Sequence, residues 1–199
     1  MTELRYIFRY VKDLLSHTDE TWVQLRDPNL KEAQVDYMLR YYYWPLMGIA
    51  AICIFFLHGN GVMVNSKLAY DAPFDFLTGL KGMAMFAFGY ATGPMLAGLI
   101  IREVFGFFTD VTFDRNKLEL FVHYSISIVL LVDLFCAFLP SMTFLTFIGL
   151  YVIYVVWLGA SLFLEVQSSL LRFFVFVSFL AIYFSSDVLQ YALRMLIAR

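Results

Sequence analysis

Five apolar runs dominate the chain and leave it few folds to choose from. They cover roughly 41 to 58, 76 to 101, 119 to 139, 143 to 164 and 171 to 193, and a helix of about 20 such residues crosses the hydrocarbon core of a bilayer. Closed barrels are the other structure that satisfies every backbone group in lipid, but barrel strands alternate over about ten residues. These runs are longer and apolar on all sides. The expectation is an all-α fold, a polytopic membrane helical bundle with five transmembrane helices. Composition agrees: 61% of the residues are hydrophobic, only 15% are charged and the mean hydropathy is +0.74, whereas soluble domains carry about 25% charged residues.

The charges between the runs predict orientation. Arg5, Arg9, Lys12, Arg26, Lys31, Arg40, Arg102, Arg115, Lys117 and Arg172 fall on one side, leaving Lys67, Lys81, Arg194 and Arg199 for the other. Basic residues favour the cytoplasm, so the N-terminus is expected inside and the C-terminus outside. The N-terminus lacks the short apolar core of a cleavable signal, which makes the first span its own insertion signal. With a net charge of -2 and no basic block, nucleic acid is not an expected partner. Cys53 and Cys136 lie within spans, where a thiol behaves as a small hydrophobe.

Residues 1 to 40 form an amphipathic cytoplasmic region ahead of the membrane domain at 41 to 199. Leu4, Ile7, Phe8, Val11, Leu14 and Leu15 share one face of a helix over residues 2 to 15. That pattern suits a helix lying in the membrane interface with Phe8 and Val11 as anchors, or one packed on the rest of the protein. Thr18 is positioned to cap a second helix ended by Asp27-Pro28. Asn29 and Glu32 resemble a capping box for a third, which runs on into span one. Tyr41, Tyr42, Tyr43 and Trp44 form an aromatic cluster of the kind found at the membrane interface. The segments at 58 to 75 and 102 to 118 read as loops, the second resting on the interface through Val104, Phe105, Phe107 and Phe108. Pro140-Ser141 joins spans three and four as antiparallel neighbours.

The stretch Gly89-Tyr90-Ala91-Thr92-Gly93-Pro94 sits inside span two, although glycine costs about 1 kcal/mol and proline about 3 kcal/mol relative to alanine in a helix interior. Gly89, Gly93 and Ala97 recur every four residues and make a strip that another backbone can approach closely. Pro94 cannot donate to the carbonyl of Tyr90, so a kink is expected, with Thr92 or a neighbouring helix satisfying the freed group. The two readings are a packing joint and a functional break of the kind that lines transporter sites.

Several stretches together resemble the bacterial branch of the Yip family, the Ypt-interacting, Rab-associated membrane proteins. They are Trp22-x-x-Leu25-Arg26, Tyr43-Trp44-Pro45-Leu46-Met47-Gly48, Gly89-Tyr90 with Leu99-Ile100-Ile101-Arg102-Glu103, and Tyr151-Val-Ile-Tyr154-Val-Val-Trp157-Leu-Gly159-Ala-Ser161. The resemblance spans almost the whole chain and implies five membrane helices with a cytoplasmic N-terminus. Eukaryotic members carry an Asp-Leu-Tyr-Gly-Pro type motif, of which Tyr42-Tyr43-Trp44-Pro45 is a faint counterpart, and act with small GTPases. A bacterial chain lacks those partners, so that role is not carried over.

His17, His58 and His123 are scattered, and there is no His-Glu-x-x-His, zinc-spaced cysteine pair, Gly-x-Ser-x-Gly or phosphate loop. The expectation is no enzyme, no cofactor and no metal, with His123 a satisfied interface histidine. Tyr151, Tyr154 and Trp157 read as packing aromatics. Lys81, Asp133 and Asp187 are the intramembrane charges, each costing at least ~2.5 kcal/mol on insertion scales. They share one depth. Either they form a cluster in which Asp133 pairs with Lys81, or Lys81 and Asp187 snorkel. The functional expectation is a non-catalytic protein of the bacterial cytoplasmic membrane, partnered by the lipid bilayer and by itself or another membrane protein. The alternative is a small transporter or channel using the Lys/Asp cluster and the kinked helix.

Overall fold

The computed structural model describes residues 2–60, 74–109, 112–139 and 150–197, with side chains from Ile7 to Leu196. Every regular element among them is helical: α1 (Thr2–Ser16), α2 (Thr18–Gln24), a single 3-10 turn (Lys31–Ala33), α3 (Val35–Gly59), α4 (Phe76–Thr109), α5 (Arg115–Phe138), α6 (Tyr151–Phe163) and α7 (Ser168–Ile197). Four of these, α3, α4, α5 and α7, are long and apolar enough to cross a membrane. Of the expected fourth span, 143 to 164, the described part is α6, 13 residues or about 20 Å long at 1.5 Å per residue. Its predicted first turns and the Pro140-Ser141 joint lie outside the described residues, as does most of the 58 to 75 loop.

The core is organised around α5, the most apolar long helix, in which every residue from Leu120 to Leu130 is buried. Helices α3, α4, α6 and α7 pack around it, each leaving one apolar face outward. The N-terminal region closes the remaining side. Trp22 of α2 is fully buried between Phe121 and Phe163, and its indole donates to the carbonyl of Val155 at 3.2 Å. Gly159 makes room for it: a Cβ there would stand 2.9 Å from the indole and 2.8 Å from the Phe121 ring. Helix α6 ends in a π turn at Gly159–Phe163, after which Glu165 adopts φ 54° and takes an ion pair from Arg26 of the N-terminal region.

Two proline positions shape the bundle. Pro45 lacks the N–H that would bond the carbonyl of Tyr41, and its ring crowds that carbonyl. The preceding turn widens to a π turn over Leu39–Tyr43, where the Trp44 N–H bonds the Leu39 carbonyl. The wider turn aims consecutive side chains, Tyr42 and Tyr43, into the core at 0% exposure. Pro94 sits in the middle of α4, whose 34 residues measure about 51 Å at 1.5 Å each. At the start of α4, Asp75 caps the helix by accepting from the Thr78 hydroxyl at 2.5 Å and the Leu77 N–H at 3.0 Å. Those bonds, with the Thr78 hydroxyl foremost, hold its carboxyl below the usual carboxylate range.

The structure corrects several local expectations. The apolar face expected on α1 is divided: Ile7 and Leu14 are buried and Val11 is half-buried against the core, while Phe8 is 70% exposed. Val11 is therefore a packing residue. Asn29 forms no capping box, because its backbone and side-chain amides both donate to Asp27, and α3 starts only at Val35. Thr18 donates to the Leu14 carbonyl instead of capping α2. Tyr43 belongs to the core and only Trp44, 44% exposed, remains outward. The stretch from 102 to 109 continues α4 as a helix, with Phe105 buried and Phe107 84% exposed.

Candidate functional site

The kink in α4 organises the polar interior. Because Pro94 offers no N–H, the carbonyl of Tyr90 is freed, and the hydroxyl of Tyr43 donates to it at 2.6 Å. Thr92 does not take that place; its hydroxyl donates to the carbonyl of Phe88 at 2.7 Å. The side chain of Tyr90 turns the other way and donates its hydroxyl to Asp133 of α5. One residue of the kink thus ties α3 to α4 through its backbone and α4 to α5 through its side chain. Beside it, Tyr42 donates to Ser127 at 2.8 Å, and the Ser127 hydroxyl passes its own hydrogen to the Tyr124 carbonyl at 2.6 Å.

The small strip of α4 faces α7 within the same chain. Gly89, Gly93, Pro94 and Ala97 are all buried. A Cβ on Gly93 would stand 2.5 Å from the Ser186 hydroxyl and 3.3 Å from its Cα, and one on Gly89 would stand 3.0 Å from the Ser186 carbonyl. Ser125, Ser178, Ser185 and Ser186 have buried hydroxyls with no hydrogen-bond partner among the described residues, so close backbone approach here is achieved without polar bonding between the helices.

Asp133 and Asp187 come together and Lys81 does not join them. The two carboxylates line a cavity of about 260 Å³ with His58, Gln190, Arg194 and the apolar walls of Ile54 and Phe86. Lys81 is exposed on α4, and the described ion pairs are Arg9 with Asp13, Arg26 with Glu165, and Arg102 with Glu103. The expected Lys81–Asp133 pair is replaced by the hydroxyl of Tyr90. Lys81 precedes Gly82, an inward residue of α4, and one residue of helix is about 100° of rotation. Equal depth did not put it on the same face.

Arg194, Gln190 and His58 line the site in addition to the residues expected from the sequence. Arg194 and Gln190 had a readable signal, since Asp187, Gln190 and Arg194 recur at three and four residues and so share one helical face.

A second cavity, about 240 Å³, lies on the other side of the Tyr43–Tyr90 tie. Pro94, Met95, Leu99, Arg102, Arg115, Glu119 and His123 line it. His123 is buried, with Nδ1 2.8 Å from the Glu119 carbonyl, so Nδ1 carries the hydrogen, and its ring meets that of Tyr43 edge-on at 4.8 Å. Among the described residues no group of His, Cys, Asp and Glu is placed to hold a metal ion.

Among the described residues the regular structure is all helical, with four helices of membrane-crossing length and apolarity around a polar, proline-centred tie. No protein-family model matches the chain, and no curated protein or solved structure is significantly similar to it.

Proposed function

We propose that this chain is a non-catalytic integral membrane protein of the Yip type, acting by helix packing with itself or with another membrane protein. Its seat in this reading is the bacterial cytoplasmic membrane, N-terminus inside and C-terminus outside, with the segment ending in α6 as the fourth of five spans. The observation that carries the reading is the closed middle of the bundle. Leu120 to Leu130 are buried without interruption, and Tyr43 and Tyr90 stand between the two cavities. What remains for interaction is the outward surface. Along α7, Phe173, Phe176, Leu180, Phe184, Val188, Tyr191 and Met195 are all exposed and recur every three or four residues, a continuous apolar stripe suited to lipid or a partner helix.

The test is crosslinking in native membranes from single cysteines placed along α7, with Cys53 and Cys136 replaced by serine. Adducts at Phe176, Leu180 and Phe184, absent from the buried positions between them, support packing through this face. No adduct at any position, with a single-copy mass in native mass spectrometry, would contradict it.

The transporter reading is favoured by one feature: ionisable groups line cavities on both sides of the tie, built largely by α4 and α5. It requires a flux in proteoliposomes that Asp133→Asn abolishes while the protein stays folded.

A further inference from the structure

We propose that the cavity formed by α3, α4, α5 and α7 is a binding site for a small organic cation, whose ammonium group is held by Asp133 and Asp187. The proposal concerns binding, and it holds whether or not the chain also transports its ligand.

Charge leads to the ligand class. Of the charged side chains that line the cavity, Asp133 and Asp187 are acidic and Arg194 is basic. The lining thus has one carboxylate in excess of its guanidinium, with Asp133 half-buried on α5 and Asp187 and Arg194 exposed on α7. Asp133 spends one carboxylate oxygen on Tyr90. Its other oxygen has no hydrogen-bond partner among the described residues, and neither Asp187 nor Arg194 takes part in any described side-chain hydrogen bond or ion pair. An ammonium group supplies both the missing charge and the missing donors, because it carries three N–H groups and accepts nothing. A carboxylate or phosphate ligand finds a single guanidinium opposed by two like charges.

Shape narrows the class further. The volume, about 260 Å³, lies below the usual range of drug-sized pockets, roughly 300–1,000 Å³, so the ligand is small. Phe86, Met85 and Ile54 add apolar lining to the same cavity, and an aromatic face beside a cation adds attraction. An amine with a short apolar body matches both halves. The same ammonium chemistry is offered by a free amine and by an ethanolamine lipid headgroup.

The experiment uses the full chain in nanodiscs of phosphatidylglycerol at pH 7.5, with benzylamine as probe, benzyl alcohol as its neutral counterpart and benzoate as its anionic one, read by calorimetry. Saturable binding of benzylamine alone is expected. Asp187→Asn should weaken it about tenfold or more, in keeping with a charged hydrogen bond. Arg194→Gln should tighten it, because a competing positive charge is removed; a merely structural arginine would weaken it. Asp187 is exposed, so its variant tests the site even if Asp133→Asn fails to fold. Adding phosphatidylethanolamine to the discs separates the sources: competition with benzylamine identifies the lipid headgroup, and no competition identifies a free amine, and both support the ammonium site. Benzyl alcohol or benzoate binding as well as benzylamine, unchanged affinity in Asp187→Asn, or weaker binding in Arg194→Gln would overturn it.

Discussion

The hydroxyl of Tyr43 donates to the backbone carbonyl of Tyr90 at 2.6 Å, at the one place in α4 where Pro94 leaves a carbonyl without its helical partner. Tyr43→Phe should therefore lower stability by about 1–3 kcal/mol, the cost of leaving a buried polar group unsatisfied. The loss should shrink when Pro94→Ala is added, because the restored N–H can take up the Tyr90 carbonyl within the helix. A double-mutant cycle on thermal unfolding in detergent checks this, and strict additivity would show that the tyrosine does not serve the kink.

Gly93 and Gly98 make a matched pair on the same helix. A Cβ on Gly93 meets Ser186, whereas one on Gly98 has nothing within 4 Å. Gly93→Ala should cost about 1–3 kcal/mol by overpacking, partly relieved by Ser186→Gly. Gly98→Ala should be neutral or stabilising by up to about 1 kcal/mol, as alanine is the better helix former. Equal effects at the two positions would mean that α4 does not lie on α7 in this register.

Tyr90, in place of Lys81, is the partner of Asp133. Tyr90→Phe should destabilise by about 1–3 kcal/mol through the stranded carboxylate, and Lys81→Met should stay within about 0.5 kcal/mol as an exposed substitution. Thermal melts of the two variants decide the matter, and the reverse order of effects would restore the ion pair.

How far these features were readable from residues alone depends on what each one needed. The long helices were legible because a run of apolar residues states its own length, and the strip at Gly89, Gly93 and Ala97 because a four-residue spacing states a face. The freed carbonyl at Tyr90 followed from the chemistry of proline. Its partner did not: Tyr43 lies 47 residues away in sequence, and it points inward only because Pro45 opens a π turn before it. Depth alone suggested Lys81 for Asp133, while rotation about α4 excluded it. Trp22 lies in the sequence among charged residues of a region expected in the cytoplasm, and nothing local indicates that Gly159 leaves a slot for its ring.

The proposed orientation rests on the ten basic residues expected on one side, against four on the other. Reporter fusions should place residue 110 in the cytoplasm and residues 65 and 199 outside. A cytoplasmic reporter at 199 would reduce the spans to the four long helices and remove α6 from the membrane-crossing set.

Accessibility along α5 tests the central claim, a bundle closed in its middle that works through its outer faces. Single cysteines from Leu118 to Cys136, with Cys53 and native Cys136 otherwise replaced by serine, can be probed with a water-soluble maleimide in intact and opened vesicles. Labelling should occur near Glu119 and His123 and near Asp133, where the two cavities lie, and should fail from Tyr124 to Leu130, where α5 is buried on every side. A continuous labelled face through Ser125 and Val129 would reveal a wet path across the bundle, contradict the closed-middle account and leave transport as the function.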